Sequence, residues 1–134
     1  MVGSPRSFTR VFAMASFAIL LTGCGDDPFA PFQPEVTNAT DSFQLQATGV
    51  TDVTSTVSYR WMNTGTRATI NHSTTTTGGS TLLTVRDAAN TVVYTRALSP
   101  SLNEPTIVGV SGSWTIQLTT DKYAGTMNFR VQKL

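Results

Sequence analysis

From residue 42 onward, apolar and polar residues alternate in short runs. In 42–49, "SFQLQATG", Phe43, Leu45 and Ala47 interleave with Gln44 and Gln46. In 56–63, "TVSYRWMN", Val57, Tyr59 and Trp61 interleave with Ser58 and Arg60. Ala68, Ile70 and His72 share one face of 67–73, and Leu83 and Val85 share one face of 80–87. Residues 90–98 are partly apolar on both faces, as in a central strand. Trp114, Ile116 and Leu118 alternate through 112–121, and Met127, Phe129 and Val131 through 125–133. A period of two over so many residues is the mark of strands with one buried face. No stretch of this region keeps helical spacing for ten residues.

Turn chemistry separates the runs. "RDAANTV", 86–92, places Asp87 and Asn90 around a tight hairpin, and Asn tolerates positive φ. "DKYAGTM", 121–127, predicts a second hairpin around Gly125. "TTTTGGST", 74–81, reads as a flexible connection, and "LSPSLNEPT", 98–106, as a longer one that crosses between sheets. Strands at this spacing predict an all-β fold: an antiparallel, jelly-roll-like β-sandwich of about seven or eight strands over 42–134.

Composition supports that reading. Charged residues are 13% of the chain, and Thr carries much of the polar load, with 22 copies between residues 37 and 126. A branched Cβ sits well on a pleated surface. Beyond residue 23, seven bases meet eight acids, a net −1 with no basic stripe, so no nucleic-acid footprint is expected.

The first 41 residues follow different rules. Arg6 and Arg10 precede the apolar run "VFAMASFAILL", 11–21. A bilayer span needs about 20 apolar residues, so this run predicts a secretory signal peptide, helical while it lasts, over 1–23. Leu21, Thr22, Gly23 and Cys24 follow. They resemble the bacterial lipobox, the signal-cleavage motif of lipoproteins. The resemblance implies that the Cys24 thiol takes diacylglycerol, that cleavage falls before Cys24, and that the new amine is acylated. Two or three acyl chains exceed what one chain achieves, which is only reversible binding. Cys24 is the only cysteine, so an intramolecular disulfide is impossible.

The residues after Cys24 refine the address. Gly25 stands where Asp signals inner-membrane retention in enteric bacteria. Asp26 and Asp27 resemble the acidic export signals of Bacteroidetes-type surface lipoproteins. The expected location is the cell envelope at the outer membrane, with the leaflet open. Pro28, Pro31 and Pro34 recur every third residue, which predicts an extended Pro-rich tether over 24–41. Phe29 and Phe32 do not suit a pure spacer and are candidates to dock on the domain or at the lipid interface.

The C-terminal stretch "GSWTIQLTTDKYAGTMNFRVQKL" carries Gly112, Trp114, Ile116, Leu118, Gly125, Phe129 and Val131 in order. It resembles the last two strands of CUB-like and pre-peptidase C-terminal domains. That resemblance implies a sandwich that accompanies other proteins or binds surfaces, without catalysis. CUB-type disulfides are absent.

Candidate chemistry is sparse. His72 is the only histidine and the one centre on which a small hydrolase could be built. "GVSGSW" is not a Gly-x-Ser-x-Gly elbow, since Ser occupies position 113. One His and one lipidated Cys make no transition-metal site. Asp52, Asp87, Glu104 and Asp121 fall in expected loops without the dense oxygen cluster that calcium wants. No catalytic residue, cofactor or metal is assigned. Trp61 and Tyr123 are the candidate ligand contacts: exposed on a flat face, they would form a sugar platform, and burial of both would count against it. The expected function is a non-catalytic, lipid-anchored envelope β-sandwich with a structural or binding role. Its partners are the membrane, through Cys24, and an envelope protein or glycan. A cell-surface carbohydrate-binding module and a His72 hydrolase are the alternatives.

Overall fold

The computed structural model describes residues 27–99 and 101–134. The predicted signal peptide, its cleavage motif and Cys24 lie outside the described residues. Among the described residues, seven antiparallel strands follow one 3₁₀ turn, Ala30–Phe32: β1 Glu35–Ala39, β2 Ser42–Asn63, β3 Ala68–His72, β4 Thr75–Arg86, β5 Val92–Ala97, β6 Leu102–Pro105 and β7 Gly112–Lys133. The all-β antiparallel sandwich read from the alternation is the fold.

Its two layers come from one sheet bent back on itself. β2 and β7 are each 22 residues long and pair from Ser42↔Gln132 to Asn63↔Gly112. Straight, such a strand would span roughly 70 Å. Instead the Asp41 N–H donates to the Met62 carbonyl at 2.9 Å, so the start and end of β2 meet. One layer has the order β1, first half of β2, second half of β7, β3, β6. The other has the second half of β2, the first half of β7, β4 and β5.

The bend is made by left-handed residues. Gly49, Asp52, Gly79, Lys122 and Gly125 all have positive φ and lie where the register of β2, β4 and β7 slips. Such bulges turn a sheet through a corner and leave ladder groups unpaired. Threonine hydroxyls take over the pairing. The Lys122 N–H donates to Thr54 Oγ1 at 2.9 Å, and the Ser55 N–H to Thr120 Oγ1 at 3.1 Å. The Thr-rich composition therefore serves the corner as well as the pleat.

Two expected breaks are corrected here. "DKYAGTM" is not a hairpin, because β7 runs through it as a bulge with Lys122 at φ 45° and Gly125 at φ 142°. "TTTTGGST" is not a free connection, because 75–81 belongs to β4 and pairs with β7. The Asn90 hairpin holds, with φ 64°. The connection after β5 crosses from the β4 layer to the β3 layer, as the sequence suggested.

The tether boundary also moves. Phe29 is 1% exposed within the core, and Glu35–Ala39 pairs with β2. The ordered body thus begins before residue 42. The reason is hydrophobic: burying a Phe contributes about 1.5–3 kcal/mol, more than a free spacer can offer. The inward set packs between the layers. Phe43, Leu45 and Phe129 meet Ile116, Leu118 and Leu83, all at most 1% exposed.

Candidate functional site

The residues singled out from the sequence are inside. Trp61 and Trp114 are a registered cross-strand pair, 1% and 0% exposed. Their indole N–H groups donate to the carbonyls of Ala39 at 3.0 Å and Val110 at 2.7 Å. Tyr123 is fully buried, and its hydroxyl donates to the Thr75 carbonyl at 3.4 Å. Neither Trp61 nor Tyr123 offers a face to a sugar ring. A depression of ≈ 350 Å³ does lie beside Trp61, lined also by Asn38, Arg60 and Met62, but no exposed aromatic floor accompanies it.

His72 is also buried, at 2% exposure, where β3 meets Leu102 of β6 and Phe129 of β7. Neither ring nitrogen has a hydrogen-bond partner among the described residues. Burial holds its pKa below the ordinary value, opposed in part by the charge of Glu104 and the Leu98 backbone. A general base must reach a proton it can abstract, and among the described residues no donor lies within hydrogen-bond distance of this imidazole. Thr74 and Thr76 continue the same inward row, and their hydroxyls are likewise buried without partners among the described residues.

Asp87 has a structural occupation. Its Oδ1 accepts from the N–H groups of Ala89 at 3.0 Å and Thr91 at 2.8 Å, and its Oδ2 from that of Val110 at 2.8 Å. Burial alone would raise the carboxyl pKa, but the three donors outweigh it and hold it below the usual carboxylate value. Oxygens so engaged are not offered to a cation. Among the described residues, no three His, Cys, Asp or Glu side chains gather as a metal site. No described helix is long and apolar enough to cross a membrane.

What Asp87 holds is loop 106–111, "TIVGVS", between β6 and β7. The loop is clamped on every side. The Thr106 N–H donates to the Ala68 carbonyl at 2.8 Å, that of Ile107 to Val93 at 3.1 Å, and that of Gly109 to Thr66 at 2.7 Å. The Ala68 N–H returns a bond to Thr106 Oγ1 at 3.1 Å. Gly109 is needed for the close approach: a Cβ there would stand 2.8 Å from that of Asp87 and 2.9 Å from Val93 Cγ1.

Yet the side chains of this fixed backbone point outward. Ile107, Val108 and Val110 are 63%, 68% and 53% exposed. The fixed backbone therefore holds three aliphatic side chains in set positions facing water. Beside it lies a shallow depression of ≈ 440 Å³, lined by Val93, Tyr94, Arg96, Glu104, Pro105 and Ile107 among others. Glu104 Oε2 accepts from the Tyr94 hydroxyl and from Arg96 Nε, both at 3.2 Å. Burial, then the Glu104 charge, pushes the Tyr94 phenol up to about 12, so it stays a neutral donor. The sequence reading missed this surface because it followed periodicity. The signal was three branched apolar residues within four positions that belong to no alternating run.

No family model matches the chain, and no curated protein matches it. Among solved structures, the chain is similar to a chain of accessory secretory protein 1,2 and 3 in Streptococcus pneumoniae. The TM-score is 0.38 at 10% identity, over 75% of this chain and 85% of that one.

Proposed function

We propose that this protein is a non-catalytic, lipid-anchored β-sandwich of the bacterial cell envelope, at the outer membrane, whose role is binding or structural. Acyl chains on Cys24 hold it, and loop 106–111 is its contact surface. The observation that carries the binding role is that loop: a backbone fixed by neighbouring strands, with Ile107, Val108 and Val110 left to solvent. The order of positive segment, short apolar run and Leu21-Thr22-Gly23-Cys24 supports the anchor. Neither alternative keeps its starting residues. The sugar platform needed Trp61 or Tyr123 at the surface, and the hydrolase needed His72 beside a nucleophile; all three side chains are buried.

Two variants test the reading. Cys24→Ser is expected to shift the protein from the membrane fraction to the soluble one. A photo-crosslinking side chain at position 108, in the anchored protein, is expected to capture an envelope component, lipid or protein. No adduct from intact cells at position 108 would remove the binding role.

A further inference from the structure

The contact made by loop 106–111 can be taken one step further, resting on the anchor reading above. We propose that the loop seats in the surface of the same bilayer that holds Cys24, so that the body lies against the membrane instead of standing off it.

Reach is the first argument. Five residue steps separate Cys24 from Phe29, which is buried in the core. Fully extended, they span at most about 17 Å. A 17-residue spacer, as the prolines suggested, would have allowed roughly 55 Å. The body is therefore kept close to the lipid.

Position is the second. Phe29 enters beside Asp27, whose carboxylate accepts the Phe29 N–H at 2.9 Å and whose charge is felt by Tyr59. Tyr59 packs on Phe43 with ring centroids 5.2 Å apart. Phe43 is two strand residues from Asp41, about 7 Å. Asp41 binds Thr64 and Lys133 at the end of the sandwich that carries the loop. Asp27 thus stands close enough to Tyr59 for its charge to act there, and β1, which follows the leader, runs from Glu35 opposite Gln46 to Ala39 opposite Ser42, toward the end that carries the loop.

Chemistry is the third. The exposed loop side chains are aliphatic, without the Trp, Tyr or Arg that anchor most protein interfaces. Asp41, at this end, is ion-paired with Lys133 at 2.9 Å, while Asp87 stays an anion turned inward onto three backbone donors. Arg67 donates from Nε to the Thr106 carbonyl at 3.1 Å and has no ion pair among the described residues. An aliphatic tip with a guanidinium group beside it suits the boundary of an acidic phospholipid layer.

The test uses the full-length lipoprotein in vesicles of phosphatidylethanolamine and phosphatidylglycerol. Val108→Cys supplies a free thiol for an environment-sensitive fluorophore, because Cys24 is consumed as a thioether. Lipids with a nitroxide high on the acyl chain are expected to quench most of the emission at position 108. They should leave the same label at Lys122→Cys, at the opposite end, bright. Adding Ile107→Asp should abolish the quenching without changing the thermal melt. A label at 108 that stays bright on a protein whose mass shows the lipid overturns the proposal and leaves the anchor standing. A label bright in vesicles yet shielded in native envelopes also overturns it, in favour of a protein partner. A mass without lipid on Cys24 overturns the anchor reading itself.

Discussion

Trp61 and Trp114 meet edge to face across β2 and β7, ring centroids 5.9 Å apart and planes at 89°. Each also ties its indole N–H to a distant carbonyl, Ala39 for one and Val110 for the other. The pair therefore joins the β1 edge, the core and the exposed loop. Replacing Trp61 with Ala is expected to cost about 3–5 kcal/mol, and with Phe about 1–3 kcal/mol. A double-mutant cycle with Trp114→Phe, read by urea unfolding, should return a coupling of about 0.5–1.5 kcal/mol.

The bend rests on residues that cannot all accept a side chain. At Gly125 a Cβ would fall 2.0 Å from the Thr75 carbonyl, and at Gly79 one would fall 2.2 Å from that of Lys122. At Gly49 nothing lies within 4 Å, although φ is also positive. Gly125→Ala and Gly79→Ala should each lose more than about 3 kcal/mol or fail to fold, whereas Gly49→Ala should lose only about 1–2 kcal/mol. Equal melting points for all three variants would show that the corner is not where the body is strained.

His72 predicts an acid-side loss of stability. Its folded pKa lies below the unfolded value of 6.5, because burial opposes the charge. Below pH 6.5 the unfolded chain binds the proton first, so stability falls as pH drops toward the folded pKa. Groups that bear on it are Glu104 across β6, with Tyr94 and Arg96 bound to that carboxylate. His72→Leu should remove this slope between pH 6.5 and 5 while leaving the fold intact at pH 8, as followed by thermal melts across pH.

Asp87 predicts the stiffness of the loop. In Asp87→Asn one side-chain oxygen can still accept from Ala89 and Thr91, but an amide N–H₂ then faces the Val110 N–H. Donor against donor should free the Val110 end of the loop. Hydrogen exchange at Val110 should rise, with a lower melting point, while amides in the centre of β7 keep their protection.

The fold was legible at the level of strands because the inward residues keep a period of two within each run, as in Phe43, Leu45 and Ala47 or Met127, Phe129 and Val131. Continuity was not legible. Gly125 and Asp121 read as a turn, but the Thr54 and Thr120 hydroxyls replace the missing ladder bonds and carry β2 and β7 through the corner. Hydroxyl partners far apart in sequence have no local signature. Phe29 and Phe32 were correctly suspicious in a spacer, and Phe29 is the plug. Trp61, Tyr123 and His72 drew attention as rare residues, yet each lies on an inward position of its strand. Loop 106–111 escaped notice because its exposure follows from clamps supplied by Ala68, Asp87 and Val93, all remote along the chain.

On the proposed reading, fat on Cys24 brings this sandwich to a membrane surface. The most direct measurement is the intact mass, with peptide sequencing, of the protein extracted from the envelope of its producing cell. An amino end at Cys24 bearing a diacylglyceryl thioether is expected. A chain that still begins at Met1, or one carrying an unmodified Cys24, would contradict it.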